Sequence, residues 1–338
     1  MVRIGLVGCG MRGRQLVRAL GQSGRLRLTA VCDVDARRLE EVAREHGVAA
    51  EADAGALAAR HDVDAVVVAV DARWHVPVAL EAVARGRPVY VEKPLADSPE
   101  AAWRLVEAQE AQGVIGIVGY QFRATRTAQV LAQAVRDVEP VQGLLTVQRG
   151  PMNPQYFFPD HYGGIADTAT HTIHNALWLM GGRAEAVAAS VQRGTILGDQ
   201  TLEFLSLLID FDGGRRTCAV VGSMLGLRIP NVTSFVGTRG TVHLQDGRIR
   251  VARHGGMHQA GAREPADLVV EEVVVQDGGD ATVALLEHFA DLVEGRVPWN
   301  ARAAASLREG AEAVAVTRAM VEAAATGRKV PLDEVARL

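Results

Sequence analysis

The sequence predicts an α/β domain with a parallel, doubly wound sheet over residues 1–121, followed by an α+β domain over residues 122–338 whose large, open sheet is mostly antiparallel. Three observations predict this. Up to about Tyr120, short β-branched runs alternate with amphipathic stretches. Ala65 to Val70 is apolar almost throughout, as a strand buried on both faces is and a half-exposed strand is not. After a helical stretch from about Arg126 to Arg136, the segments lengthen and no helices separate them, which suits hairpins. With 338 residues, 48% hydrophobic and 22% charged, the chain also exceeds what one core usually organises.

In order, VRIGLVG leads into a helix from Met11, LRLTAVC into Ala36 to His46, AVVVAV into His75 to Arg85, and PVYVE into Pro99 to Gln112; VIGIVG closes the series. The second part carries VQGLLTVQRG, AEAVAASVQRG, LEFLSLLIDF, RRTCAVVGSML and GTRGTVHLQDGRIRVA, with turns suited to hairpins at Asp212-Gly213-Gly214 and Asp246-Gly247. Both alternating sets of Leu202 to Phe211 are largely apolar, so both faces of that sheet want cover. Helices of the chain can cover one face, and a second subunit the other, which predicts a homodimer or homotetramer. Ala281 to Glu294 and Ala301 to Ala325 read as helices bracing the domain junction, with Gly327 as the stop.

Composition excludes several functions. The net charge is -4 and the 36 Lys and Arg are scattered, so no basic field invites nucleic acid. Cys9, Cys32 and Cys218 are too few and too far apart for a disulfide framework or a thiolate zinc site. No uncharged apolar run is long enough to span a bilayer, and the N-terminus runs straight into a strand pattern, so the cytoplasm is the expected location.

The motifs point to redox chemistry on a nucleotide. Gly8-Cys9-Gly10-Met11-Arg12-Gly13 is a G-x-G-x-x-G between a strand and a helix, the context that makes it a Rossmann dinucleotide fingerprint. Asp33 closes the next strand 20 residues beyond the last glycine, where a carboxylate accepts from the ribose hydroxyls and repels a 2'-phosphate. That favours NAD. Arg12, Arg37 and Arg38 are near enough in sequence to keep NADP open, although solvated helix arginines explain them more simply. Val91-Glu92-Lys93-Pro94 sets a lysine at the carboxyl end of a parallel strand, the rim where such sheets bind ligands; by itself it better suits a surface turn, so the lysine needs a partner. A proline there can take the cis form and turn the lysine inward.

A further helix pattern, Gly163 to Gly181, carries Asp167, His171, His174 and Trp178 on one face. Polar groups there need a task or a partner. For His174 a satisfied core histidine is as good an explanation as substrate contact. Asp and two His also suit zinc, but no second H-x-x-H or Cys cluster completes a site, so no metal is expected. Asn153, Gln155, Tyr156, His161 and Tyr162 precede this helix in a Pro- and aromatic-rich segment of the kind that lines substrate pockets; packing over the domain junction explains Phe157 and Phe158 equally well.

Together these residues, with Gly119-Tyr120-Gln121-Phe122-Arg123, Gly237-Thr238-Arg239-Gly240-Thr241 and Gly327, resemble the glucose-fructose oxidoreductase, inositol dehydrogenase and rhizopine-catabolism family, Gfo/Idh/MocA, over nearly the whole chain. The resemblance implies a Rossmann domain, a C-terminal α+β domain that oligomerises through its sheet, and NAD(P)-dependent dehydrogenation of CH–OH groups on sugars, cyclitols or related polyols. Lys93, Asp167 and His171 match its catalytic residues. It also implies that Cys9, Met11, Arg12, Val70, His75 and Glu92 join Gly8, Gly10, Gly13, Asp33 and Lys93 around the cofactor, and that Tyr120, Arg123 and His174 line the substrate pocket. The expected chemistry has His171 removing the hydroxyl proton while hydride leaves for the nicotinamide, Lys93 stabilising the oxygen and Asp167 orienting His171. This chain departs from the family in having Val70-Asp71 for Thr-Pro, His174 for Asp, and Phe122 for one of two arginines. Two other readings share these motifs: an NAD-using glycoside-cleaving enzyme with no net redox change, and a nucleotide-sensing regulator without catalysis.

Overall fold

The computed structural model describes residues 1–148, 163–193, 202–223, 231–253, 269–298 and 303–335. In chain order the first elements are β1 (Val2–Val7), α1 (Met11–Gln22), β2 (Leu26–Cys32), α2 (Ala36–His46), β3 (Ala49–Glu51), α3 (Ala54–Ala59), β4 (Ala65–Val68), α4 (Ala72–Val83), β5 (Val89–Val91), α5 (Pro99–Gln112) and β6 (Gly116–Val118). A 3-10 turn (Gln121–Ala124) leads to α6 (Arg126–Asp137), β7 (Pro140–Gln148), α7 (Gly163–Met180), β8 (Ala184–Arg193), β9 (Leu202–Phe211) and β10 (Arg216–Ser223). There follow β11 (Thr233–Gly237), β12 (Gly240–Gln245), β13 (Arg248–Arg253), β14 (Val269–Val274), α8 (Ala281–Val293), β15 (Ala305–Ser306), α9 (Leu307–Thr326), β16 (Val330–Pro331) and α10 (Leu332–Val335). Contacts divide the chain into one unit of Met1–Thr125 with Gly278–Val314 and another of Arg126–Asp277 with Ala315–Leu338.

The first unit holds a sheet in the order β15-β6-β5-β4-β1-β2-β3. Neighbouring strands from β1 to β6 pair in parallel and β15 runs antiparallel to β6. The strand order reverses at β1, which lies between β4 and β2, and the loops at the carboxyl ends there form the crevice where open α/β sheets bind ligands. All four residues of β4 are buried, as its unbroken apolar run requires. The pair β3 and α3, three and six residues long, is too short to carry a readable period, though Asp53 caps α3 through the Ala56 N–H.

Helix α8 completes this unit's core rather than that of the second sheet. Its Leu285, Leu286 and Phe289 are fully buried in the cluster that holds Ile4, Leu6 and Val31, and Phe289 meets Tyr90 edge-on. Arg25 fastens the helix from outside through Asp291 at 2.5 Å and Glu294 at 3.1 Å. Helix α9 starts at Leu307, later than the Ala-rich pattern suggests. The cause is a capping box: the Glu309 N–H donates to Ser306 Oγ, and the Ser306 N–H donates to the Glu309 carboxylate.

The second unit holds a sheet in the order β14-β13-β12-β11-β7-β10-β9-β8-β16, antiparallel except for the β7–β10 pair. Asp212-Gly213-Gly214 joins β9 to β10, and Asp246-Gly247 joins β12 to β13, with Asp212 and Asp246 at φ of 52° and 49°. Helix α7 covers one face through Ala169, Ile173 and Ala176, all buried. On β9 the residues Leu205, Leu207, Ile209 and Phe211 are buried while Leu208, on the other face, is 42% exposed. In register with Leu208 comes Ala219, and beyond it Leu144, 39% exposed. These residues form an apolar row on that face, flanked by the exposed Ser206 and Gln142. Among the described residues no helix is long and apolar enough to cross a membrane.

Candidate active site

The turn between β1 and α1 is built by its glycines. Gly8 has φ of +105°, and a Cβ there would overlap the Ala69 carbonyl beyond β4. A Cβ on Gly13 would overlap the Gly8 carbonyl oxygen, so only glycine lets α1 pack this close to the turn. Gly10 differs: a Cβ there meets nothing nearer than Arg38 at 4.0 Å, which leaves an open approach to backbone. Gly13→Ala should therefore cost about 1–3 kcal/mol through overpacking, read as a Tm several degrees lower, and weaken NAD binding. Gly10→Ala should weaken NAD binding while leaving Tm unchanged. Thermal melts with and without NAD check both.

Helices α2, α3, α4, α5 and α8 each begin with an Asp or Ser whose side chain accepts from first-turn N–H groups. Helix α1 begins at Gly10 with no such cap, so no side chain of its own competes with a ligand phosphate for the positive helix end. Asp33, buried at the end of β2, accepts from the Cys9 N–H at 2.6 Å and the Asp35 N–H at 2.8 Å, one bond to each carboxylate oxygen. Each oxygen keeps acceptor capacity for a ribose hydroxyl. Cys9, Gly10, Met11, Arg14 and Arg38 line the adjoining recess, with Arg38 tied to Asp35 at 3.0 Å. These residues fit an NAD. Burial, with help from Asp33, pushes the Cys9 thiol up to about 11, so it is no nucleophile at neutral pH.

At the end of β5, Glu92 is only 4% exposed and heavily engaged. It accepts from Arg12 Nε at 2.9 Å, from the Tyr90 hydroxyl at 3.0 Å and from the Lys93 N–H at 3.3 Å. Arg12, from the glycine turn, is thereby committed to the Glu92 carboxylate. Burial and the neighbouring Glu92 charge hold the Tyr90 phenol well above its ordinary value, so it stays a donor. The Lys93–Pro94 peptide is cis, and Lys93 is half-buried. His75, 1% exposed on α4, has Nδ1 2.7 Å from the Pro94 carbonyl and Nε2 3.1 Å from the Val70 carbonyl. Both ring nitrogens are thus turned to backbone rather than to a ligand.

The first unit thus gathers Gly8, Cys9, Gly10, Met11, Arg12, Gly13, Asp33, Val70, His75, Glu92 and Lys93 at the strand ends beside β1. Tyr120 and Arg123 are also in it, both buried, with Arg123 Nη1 2.5 Å from the Glu309 carboxylate. The second unit carries His171, half-buried, and His174, buried, on α7. Asp167 lies on the same helix, its side chain outside the described residues, as are Asn153, Tyr156, His161 and Tyr162. Sequence reasoning missed Arg216. It donates from Nη1 and Nη2 to the Met180 and Gly181 carbonyls at 2.7 and 2.8 Å and from Nε to Asp212 at 2.6 Å, capping the carboxyl end of α7. Residues 36 positions apart in sequence carry no local signal of that contact.

Residues 2–120 match the family model described as oxidoreductase family, NAD-binding Rossmann fold, and residues 144–332 match that of the family's C-terminal alpha/beta domain. The chain belongs to the Gfo/Idh/MocA oxidoreductase family. Among its relatives, inositol 2-dehydrogenase 3 of Saccharopolyspora erythraea is 30% identical over 346 residues, covering 98% of this chain and 95% of the relative. An inositol 2-dehydrogenase of Ralstonia nicotianae is 32% identical over 187 residues, 53% of this chain and 55% of the relative. Solved structures share the fold. An oxidoreductase from Agrobacterium radiobacter in complex with NAD+, L-tartaric acid and magnesium superposes with a TM-score of 0.81 at 21% identity, covering 98% of this chain and 99% of that one. An NAD binding oxidoreductase from Klebsiella pneumoniae gives 0.80 at 22%, covering 98% of both. As a Gfo/Idh/MocA protein, the chain is an oxidoreductase with an NAD-binding Rossmann domain.

Proposed function

We propose that this Gfo/Idh/MocA oxidoreductase interconverts a secondary alcohol of a cyclitol or sugar with its ketone, using NAD in preference to NADP. The observation that carries the reading is the Glu92-Lys93-Pro94 turn at the strand ends beside the Gly8–Gly13 turn, in a chain alike over its full length to an inositol 2-dehydrogenase. NAD, when bound, supplies the hydride acceptor. Lys93 stabilises negative charge developing on the substrate oxygen, the task for which a preorganised cation suits. His171 accepts the hydroxyl proton, and Asp167 orients its ring. Gly8, Gly10 and Gly13 with Cys9 and Met11 would hold the pyrophosphate, Asp33 would hold the adenosine ribose, and Val70 would border the nicotinamide. Asn153, Tyr156, His161, Tyr162 and His174 contact the substrate, while Tyr120 and Arg123, buried with Glu309 as partner to the latter, brace the segment after β6.

The exposed apolar face of Leu144, Leu208 and Val221 supports association of copies through the second sheet, as a dimer or tetramer in the cytoplasm. The test of function offers inositols, sugars and linear polyols with NAD or NADP and follows absorbance at the reduced-nicotinamide band. At least one cyclitol or sugar should give a signal, with kcat/KM higher for NAD. Tight NAD binding with silence across a broad panel would remove the dehydrogenase reading.

A further inference from the structure

The turn that carries Lys93 has a buried support. Pro94 has no N–H, so at that residue the backbone can hydrogen-bond only through its carbonyl. His75 reaches the Pro94 carbonyl at 2.7 Å from α4, and its other nitrogen lies 3.1 Å from the carbonyl of Val70, at the end of the β4 run. A neutral ring carries one N–H and donates to only one of these two carbonyls, so its other nitrogen packs beside the second without bonding it. With both nitrogens turned to backbone and the ring 1% exposed, His75 has no atom left to offer a cofactor or substrate.

We infer that His75 is a positioning residue for Lys93, tying the Lys93-Pro94 turn to α4 through the Pro94 carbonyl. The inference rests on the reading of Lys93 as the residue that stabilises the substrate oxygen. The shorter contact, from Nδ1, is assigned the N–H that donates to the Pro94 carbonyl. Burial lowers the tendency of the ring to take a second proton, while the Glu92 and Asp71 carboxylates oppose that effect. An ammonium group displaced by about 1 Å loses much of its effect on a reacting atom, on the order of 10²-fold in rate. A loosened turn should therefore lower kcat more than it raises KM for NAD.

Substituting the ring separates its two contacts. His75→Asn keeps an amide donor near the Nδ1 position, His75→Gln one near the Nε2 position, and His75→Leu keeps bulk without a donor. Amide hydrogen exchange over residues 92–96 and turnover of myo-inositol with NAD are measured in each variant and in Lys93→Met. His75→Leu and His75→Gln should exchange roughly tenfold faster at 92–96 and lose roughly 10- to 100-fold in kcat, with KM for NAD within about threefold. His75→Asn should stay near wild type in both. Unchanged exchange at 92–96 in His75→Leu overturns the inference with no substrate needed, as does wild-type kcat in His75→Leu beside an inactive Lys93→Met. Equal losses in the Asn and Leu variants reduce His75 to a packing residue. An active Lys93→Met brings down the reading of Lys93 itself, and this inference with it.

Discussion

In His171→Ala, NAD should bind as it does to the wild type while kcat falls roughly 10²- to 10⁴-fold, the usual contribution of a positioned general base. His171 sits on α7, a helix of the second unit whose carboxyl end Arg216 ties to the β9–β10 hairpin. The nucleotide turn, by contrast, is made wholly within the first unit by Gly8, Gly13 and Asp33. Loss of the imidazole therefore separates the two readouts: nucleotide fluorescence titration stays unchanged and steady-state turnover collapses. Alanine at 171 leaves the neighbouring Ala169, Ile173 and Ala176 contacts of α7 in place, so a folding defect is not the expected cause. Turnover equal to wild type would assign the proton transfer to another group.

Lys93→Met should lower kcat roughly 10²- to 10³-fold, the cost of removing one fixed donor from a developing negative charge. Methionine keeps most of the apolar stem of lysine and removes the ammonium group, with its charge and its donors. The Glu92 network with Arg12 and Tyr90 does not use the Lys93 side chain, so that anchor survives the change. Lys93→Arg should restore less than a tenth of the loss, because a planar guanidinium does not reproduce a compact ammonium on a mobile stem. Steady-state kinetics on both variants, with NAD affinity measured alongside, checks this. An active Lys93→Met would place charge stabilisation elsewhere.

Much of the architecture was legible because it is written in periods. Burial on both faces makes the run through Val66, Val67 and Val68 apolar, and the close approach of α1 to the turn before it makes Gly13 a glycine; both are local demands on local sequence. What escaped depends on contacts distant along the chain. Helix α8 shows an apolar stripe that says it packs, and nothing in it names β1 and α1 as the place. Arg12 reads most simply from sequence as a solvated helix arginine, yet it is paired with a carboxylate 80 residues away. His75 likewise sits where the family pattern suggests cofactor contact, and only the fold reveals two carbonyls around its ring. Short pieces such as β3 and α3 escaped for the simpler reason that three to six residues cannot display a period.

The central claim is that a CH–OH group of the substrate is oxidised at the expense of NAD, and product stoichiometry tests it most directly. The substrate found in the panel is converted by the wild-type protein, and the ketone formed is quantified by mass spectrometry against the reduced nucleotide formed. One ketone for each reduced nucleotide is the predicted result, and substrate consumed with the nucleotide pool unchanged would contradict it, pointing to bond cleavage without net redox change.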